Sequence, residues 1–171
     1  MSDSPMADLG PALKESKDSP ARGLLFLCVA NSARSQMAEG LARARLGSRL
    51  SVQSAGSQPG TLNPLAVAVL AEIGIDISGH RSKHVDVIDF SDVGTVVTLC
   101  AEEICPVFLG TARCLAWPLP DPVREGGTER ERLVRFRALR DEIASRLDRL
   151  LCSLSSFSPI EEVVSTANSL K

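Results

Sequence analysis

Residues 24–46 constrain the fold of this chain more than any other segment. They begin with the uninterrupted apolar run Leu-Leu-Phe-Leu at 24–27, which predicts a strand over 24–29 that is buried on both faces. A helical pattern covers 35–46, and Gly47 marks its end. A buried strand that passes through a short loop into a helix predicts an α/β protein with a parallel sheet.

The rest of the chain repeats this alternation. Apolar stretches predict further strands at 51–55, 93–99 and 114–117. Because these strands alternate with helical segments, we expect a three-layer α/β sandwich around a four-stranded parallel sheet.

Two helices are indicated by capping signals. Asn63 before Pro64 is typical of a helix start, and Gly74 follows the expected end of that helix. Thr128 and Glu131 form a capping box that opens the longest helix. The apolar residues on one face of that helix are Leu133, Phe136, Leu139, Ile143, Leu147 and Leu150.

Composition limits the domain organisation and the partners. We expect one catalytic domain at 22–152, between a disordered N-terminal tail at 1–21 and a flexible, Ser-rich C-terminal tail at 153–171. The formal net charge of −2 gives no reason to expect nucleic acid or an anionic membrane as a partner. The apolar runs are also too short to cross a bilayer.

The cysteines point to chemistry rather than to structural bridges. The first residues lack the apolar stretch of an export signal, so a cytoplasmic location is expected. In that reducing compartment, five cysteines favour catalysis or redox chemistry over a disulfide framework.

Residues 28–35, Cys-Val-Ala-Asn-Ser-Ala-Arg-Ser, form what we call the cysteine loop. Its small residues and the following helix start gather backbone N–H groups around one point, where they favour the thiolate of Cys28. Arg34 offers a planar fork of donors to an oxyanion, Ser35 can donate a hydrogen bond to the sulfur, and Asn31 suits a left-handed backbone position. The expected oxyanion-binding residues are Val29, Ala30, Asn31, Ser32, Ala33 and Arg34.

The loop therefore predicts a nucleophilic cysteine that attacks a tetrahedral oxyanion such as phosphate or arsenate. The alternative interpretation is a buried structural cysteine beside a surface arginine.

Two further groups follow predicted strands. Because parallel strands end at one edge of a sheet, Cys28, Cys100 and Asp121 could converge there. Asp121 lies in the proline-rich loop 117–122 and is a candidate general acid, with a turn aspartate as the alternative. Cys100 and Cys105 are close enough in sequence to form a reversible disulfide.

The other cysteines and the histidines have no motif around them. We expect Cys114 in the core and Cys152 near the end of the last helix. His80 and His84 are expected to be solvent-facing or structural. The sequence predicts neither a cofactor nor a metal site.

These segments resemble the thioredoxin-coupled arsenate reductases, which have the fold of the low-molecular-weight tyrosine phosphatases. The matching segments are 28–40, 53–56, 75–78, 96–100, 105–106, 117, 121–122, 127–129 and 140–143. The resemblance implies a four-stranded parallel sheet flanked by helices and arsenate as the substrate, with phosphate as its competitor. It also implies thioredoxin or another thiol reductant as the partner.

The resemblance also implies a relay of sulfur atoms. Cys28 attacks arsenate held by Arg34 and the loop amides, and Asp121 protonates the departing oxygen. Cys100 then attacks Cys28 and releases arsenite. Cys105 attacks Cys100, and an external thiol reduces the Cys100–Cys105 disulfide.

The chain departs from the family pattern in its cysteines. Four residues separate Cys100 from Cys105, where better-known members have six, so the relay segment is shorter. Ala33 also stands at a position often held by cysteine.

A second departure concerns the potassium ion that some members bind beside the loop. Asn31, Glu39 and Ser54 match that site, but Arg81 and Lys83 stand where Thr and Asp are expected. A guanidinium or ammonium group can replace the ion, so no metal is predicted.

Two other functions compete with arsenate reduction. A phosphatase would use the same loop to form a cysteinyl-phosphate, which water hydrolyses with Asp121 as acid and then base. Phosphotyrosine phosphatases of this fold usually carry aromatic residues near the acid loop, whereas the segment directly after Asp121, Pro-Val-Arg-Glu-Gly-Gly at 122–127, has none. A non-enzymatic thiol sensor or arsenite binder would use Cys100 and Cys105, but it would leave the cysteine loop without a role.

Overall fold

The fold is built on a parallel sheet of four strands. The computed structural model describes residues 23–100, 112–123 and 126–155. Its strands are β1 (Gly23–Leu27), β2 (Val52–Ala55), β3 (Val93–Thr98) and β4 (Arg113–Ala116). They lie in the order β2-β1-β3-β4, with every neighbouring pair parallel. The four-stranded parallel α/β sandwich predicted from the sequence is confirmed.

The apolar run at 24–27 occupies the centre of this sheet. All five residues of β1 are buried, which explains why that strand carries no polar alternation. The strand ends at Leu27, two residues earlier than predicted, because the chain turns at Cys28 to begin the cysteine loop.

Within the described ranges, three helices cover the sheet: α1 (Arg34–Leu46), α2 (Pro64–Ala71) and α3 (Glu129–Ser155). The side chain of Asn63 accepts the N–H of Leu65 at 2.9 Å at the start of α2. These bounds agree with the predicted helices to within two residues at the starts, whereas α3 runs three residues past the predicted domain end at 152.

The capping box at the start of α3 is present. The N–H of Thr128 donates to the Glu131 carboxylate at 2.8 Å, and the N–H of Glu131 donates to the Thr128 hydroxyl at 3.3 Å. The two residues therefore satisfy donors at the helix end reciprocally, as the sequence predicts.

The core lies on both faces of the sheet. One cluster joins Leu24 and Phe26 of β1 to the apolar sides of all three helices, including the predicted α3 face from Leu133 to Leu150. A smaller cluster on the other face joins Leu25 and Leu27 to Ile88, Val93 and Val96. Short 3₁₀ turns at Val85–Val87 and Phe90–Asp92 lie beside that second cluster. In the described part of the chain, no helix is both long and apolar enough to cross a membrane.

The expected core position of Cys114 is wrong. This residue lies on β4, which is an edge strand of the sheet, and its side chain is exposed. An edge strand has a neighbouring strand on one side only. The apolar residues that follow Cys114 therefore do not require the Cys114 side chain to be buried. Cys152 is exposed near the end of α3, as expected.

Candidate active site

The cysteine loop follows β1 at the carboxyl edge of the sheet. Asn31 has φ 45°, which makes it the one non-glycine residue of the described chain in the left-handed region; this is the conformation expected for it. Three carbonyl groups of the loop accept hydrogen bonds from backbone N–H groups of the segment 58–63. Their donors are Gln58 N to Val29 O (2.9 Å), Gly60 N to Ala30 O (2.8 Å) and Asn63 N to Ser32 O (2.9 Å). Because these carbonyls face outward, the opposite side of the loop presents its N–H groups.

That opposite side lines a cavity of about 380 Å³. Helix α1 begins at the cavity, and no side chain caps its first turn. An uncapped helix start next to a loop of turned-in amides is suited to an anion. The lining residues are Cys28, Val29, Ala30, Ser32, Ala33, Arg34, Asn63, Asp121 and Val123.

A directed chain of hydrogen bonds ends on the sulfur of Cys28. The Oδ1 atom of Asn31 accepts the backbone N–H of Lys83 at 2.8 Å, so the orientation of this amide is fixed. Its Nδ2 group therefore donates to Ser35 Oγ at 2.8 Å and to Ser54 Oγ at 2.9 Å. Since Ser35 Oγ accepts from Asn31, its own proton is available to Cys28 Sγ, 2.9 Å away. A hydroxyl aimed at the sulfur stabilises negative charge there.

At its other end, this series of hydrogen bonds reaches a buried carboxylate. Ser54 donates to Glu39, which is 2% exposed. Arg43 pairs with Glu39 at 2.7 Å, and the Lys83 ammonium lies 3.7 Å from it. The residues therefore do not fit a potassium ion, because a side-chain cation lies on the carboxylate that would hold it. In the described ranges no group of three or more His, Cys, Asp and Glu side chains forms a metal site.

Gln36 and His80 hold the cysteine loop in place through hydrogen bonds. The Nε2 group of Gln36 donates to the backbone O of Asn31 and of Arg81, each at 3.1 Å. Its Oε1 atom must then be the acceptor for His80 Nδ1, 2.9 Å away, so His80 carries a proton on Nδ1. Burial lowers the pKa of His80 from its ordinary value, and the neighbouring Lys83 acts in the same direction. His80 is therefore structural, which is one of the two roles expected for it.

Asp121 lines the same cavity as Cys28. Its carboxylate is 3.4 Å from the Arg34 guanidinium, which also donates to the carbonyl of Leu119 at 3.2 Å. The N–H of Val123 donates to the other carboxylate oxygen at 3.0 Å and holds the side chain in place. The structure thus brings together Cys28, Arg34 and Asp121, which are separated by up to 93 positions (121 − 28).

Cys100 follows β3, the neighbour of β1. The N–H of Leu99 donates to the carbonyl of Leu27 at 2.8 Å, so the two strands run side by side up to the residues that precede both cysteines. Cys100 is 3% exposed and belongs to the same buried cluster as Cys28, which is 2% exposed. Cys105 lies outside the described residues.

Gly56 is a positioning residue that the sequence reasoning missed. A Cβ atom at this residue would lie 2.5 Å from the carbonyl oxygen of Cys28 and 2.9 Å from the N–H nitrogen of Asn31. Only glycine permits this contact between the end of β2 and the cysteine loop. The available signal was a glycine directly after a strand that ends at the same edge of the sheet.

Comparison with known proteins agrees with this geometry. The family model of the low molecular weight phosphotyrosine protein phosphatases matches residues 23–159. The chain belongs to this family. The family match spans the cysteine loop, Cys100 and Asp121, and thus the whole cavity.

Several members of the family with similar sequences are arsenate reductases. The arsenate reductase of Bacillus subtilis is 44% identical over 126 residues, which cover 72% of this chain and 91% of that protein. The arsenate reductase of Shouchella clausii is 41% identical over 130 residues, which cover 74% and 92%.

Solved structures of the family are similar as well. An arsenate reductase in the phosphate binding state has a TM-score of 0.68 and 31% identity, covering 77% of this chain and 98% of that chain. A thioredoxin-dependent arsenate reductase from Corynebacterium glutamicum has a TM-score of 0.65 and 30% identity, covering 82% of this chain and 65% of that chain.

Proposed function

We propose that this protein is an arsenate reductase that converts arsenate to arsenite through the thiols of Cys28, Cys100 and Cys105. The observation that carries the proposal is the position of Cys100, a buried thiol directly after the strand beside the one that leads into the cysteine loop. A phosphatase needs only the nucleophile in the loop. A second buried thiol at the same edge is useful when arsenic must be released from the first sulfur by the attack of another sulfur.

Arsenate binding is assigned to the cysteine loop. The loop amides, the start of α1 and the Arg34 guanidinium are all positively polarised groups around one cavity. Cys28 Sγ forms the bond to arsenic, and Ser35 steadies its charge before the attack. The departing oxygen takes the proton of Asp121 and leaves as water.

Reduction takes place when Cys100 attacks. Its sulfur bonds to Cys28 Sγ, the sulfur–arsenic bond breaks, and the electron pair stays on arsenic, which leaves as arsenite. Two thiols have then supplied two electrons and become one disulfide. Cys105 attacks Cys100 next and returns Cys28 to the thiol state.

The external reductant is assigned to the thioredoxin class because a relative of this chain is thioredoxin-dependent. Such reductants maintain thiols in the cytoplasm, which is the location we assign to this protein. The enzyme requires no cofactor of its own, since the cysteines carry both electrons.

Phosphate ester hydrolysis is a second, slower activity. The cavity favours a tetrahedral oxyanion, and phosphate has the same shape and charge as arsenate. Among the described residues that line it, however, none is an aromatic side chain that could hold a phenol ring. We therefore expect weak cleavage of small phosphate esters and no preference for phosphotyrosine.

The test compares three serine variants in two assays. Arsenate-dependent NADPH consumption is measured with thioredoxin and its reductase, and p-nitrophenyl phosphate hydrolysis is measured without them. We expect Cys28→Ser to abolish both activities. Cys100→Ser and Cys105→Ser should abolish arsenate turnover and retain the slow ester cleavage. Normal arsenate turnover by both relay variants would show that the proposed route is wrong.

A further inference from the structure

Residues 118–123 form what we call the acid loop, which carries Asp121. Every second residue of this loop is a proline, beginning at position 118, and proline has no backbone N–H group. The loop can therefore donate few hydrogen bonds of its own. Its position depends on its carbonyl groups, whose donors must come from other parts of the chain.

The first half of the acid loop is held by the sheet and by the cysteine loop. The N–H of Leu119 donates to the carbonyl of Leu99 at 3.1 Å, directly after β3. The carbonyl of Leu119 accepts the Arg34 guanidinium at 3.2 Å. Leu119 is also buried in the main apolar cluster, so the chain is fixed up to this residue.

The contacts of Asp121 itself do not fix the rest of the loop. Its carboxylate is 3.4 Å from Arg34, which is longer than the roughly 2.7–2.9 Å of a strong charge-assisted hydrogen bond. The N–H of Val123 donates to Asp121 at 3.0 Å, but this contact lies within the loop and moves with it. The position of the carboxylate therefore depends on what holds the residues after Asp121.

Arg135 of α3 supplies that second anchor. Its Nη2 group donates to the carbonyl of Gly126 at 2.8 Å, and its Nε group donates to the carbonyl of Pro122 over a longer distance of 3.5 Å. A cavity of about 310 Å³ lies between residues 119–122 and the face of α3 that runs from Arg135 to Glu142. Apolar packing is incomplete there, and the Arg135 side chain bridges the loop to the helix.

We propose that Arg135 is a positioning residue for Asp121, which keeps the acid within reach of the departing oxygen; this rests on the function proposed above. Asp121 gives one proton to that oxygen as its bond to arsenic or phosphorus breaks, and Arg135 keeps its own protons throughout. A shift of about 1 Å in a catalytic group can lower a rate by about 100-fold, so a loosened loop is costly even when the carboxylate is present.

Arg135 also acts on the start of α3, which gives it a possible structural role. The pKa of Glu131 lies below its ordinary value, mainly through hydrogen bonds from Thr128 and to a smaller extent through the charge of Arg135. A substitution of Arg135 could therefore lower stability alone. The test needs a quantity that does not change with the amount of folded protein.

Two phosphate esters provide such a quantity. The departing oxygen of phenyl phosphate is more basic than that of p-nitrophenyl phosphate, so its release depends more strongly on a proton from Asp121. We define the leaving-group ratio as kcat/KM for p-nitrophenyl phosphate divided by kcat/KM for phenyl phosphate. A loss of folded protein lowers both constants by the same factor and leaves the ratio unchanged.

The leaving-group ratio is measured in the full-length parent protein and in three variants. We expect it to rise about 100-fold in Asp121→Asn, which is a typical contribution of a general acid. In Arg135→Met, which keeps the carboxylate but releases the loop, it should rise about tenfold. Arg137→Met is the matched control, because Arg137 lies on the same helix but pairs with Glu72 at 2.6 Å. Its ratio should stay within about twofold of the parent value.

Arsenate provides a second readout of the same variants. The kcat/KM for arsenate should fall about tenfold in Arg135→Met. The inhibition constant of phosphate should not change, because the cysteine loop and Arg34 that bind the oxyanion remain in place. A purely structural role of Arg135 predicts changes in both constants or in neither.

Three results would overturn the proposal. In the first, the leaving-group ratio rises in Asp121→Asn but not in Arg135→Met. In the second, Arg137→Met raises the ratio as much as Arg135→Met does. In the third, the ratio is unchanged in Asp121→Asn, so Asp121 is not the acid and Arg135 has nothing to position. If the parent protein forms no arsenite while Arg135→Met still raises the ratio, the proposed function fails and the positioning role stands.

Discussion

Replacing Ser35 with alanine removes the hydroxyl that faces the nucleophile. Ser35 Oγ lies 2.9 Å from Cys28 Sγ, and Asn31 Nδ2 occupies its acceptor side at 2.8 Å. When Cys28 is a thiolate it has no proton to give, so the Ser35 hydroxyl must then be the donor to the sulfur. A hydrogen bond to a charged partner contributes about 1.5–3 kcal/mol, which corresponds to a loss of roughly 10- to 150-fold in a step that depends on the thiolate.

The assay measures the nucleophile directly. Reduced protein is treated with iodoacetamide, and the rate of alkylation of the Cys28 peptide is followed by mass spectrometry. The kcat/KM for arsenate is measured in parallel. We expect both quantities to fall by a similar factor in Ser35→Ala.

Ser54→Ala is the matched control. Ser54 is also fully buried and accepts the other proton of the same Asn31 amide, at 2.9 Å. Its own proton points to Glu39 rather than to the cysteine. Both variants should lose about 1–3 kcal/mol of unfolding free energy, but only Ser35→Ala should slow the alkylation of Cys28 strongly. Equal slowing in the two variants, or none in Ser35→Ala, would refute the assigned direction of the network.

Three further predictions concern the supports of the loop. Gly56→Ala should lower the unfolding free energy by about 1–3 kcal/mol in urea titration, because the new Cβ lies 2.5 Å from a loop carbonyl; an unchanged midpoint would contradict this. Lys83→Met removes the ammonium group from Glu39, so the kcat/KM of this variant for arsenate should fall. The kcat/KM of the variant should be higher in potassium chloride than in choline chloride. The kcat/KM of the parent protein should be the same in both salts. Burial lowers the pKa of His80 from 6.5, so the unfolded chain binds more protons below that pH and stability should fall as pH decreases through 6.5. His80→Asn should flatten this decrease in thermal unfolding scans between pH 7.5 and 5.5, whereas the same slope in His80→Asn and His84→Asn would contradict it.

The elements of the fold could be predicted because their signals are local. The apolar run of β1, the Asn63 cap of α2 and the capping box of α3 each depend on neighbouring residues. Parallel topology then followed from the alternation of strands and helices, and it placed Cys28 and Asp121 at one edge.

The supports of the site could not be predicted in the same way. Lys83 reaches Glu39 from 44 positions away (83 − 39), which only the family resemblance suggested, and Gly56 contacts the cysteine loop through the packing of two strand ends. Such contacts arise only when separate segments assemble. The order of the strands was equally hidden, and for that reason Cys114 was assigned to the core although it lies on an edge strand.

The central claim is that arsenic is reduced by two thiols of this chain. The most direct measurement is an anaerobic single turnover of the fully reduced protein with one equivalent of arsenate and no other reductant, counting arsenite and thiols. We predict one arsenite and the loss of two thiols per chain, with neither change in Cys28→Ser or Cys100→Ser. An unchanged thiol count without arsenite, together with rapid phosphate ester hydrolysis, would contradict the claim and identify the protein as a phosphatase.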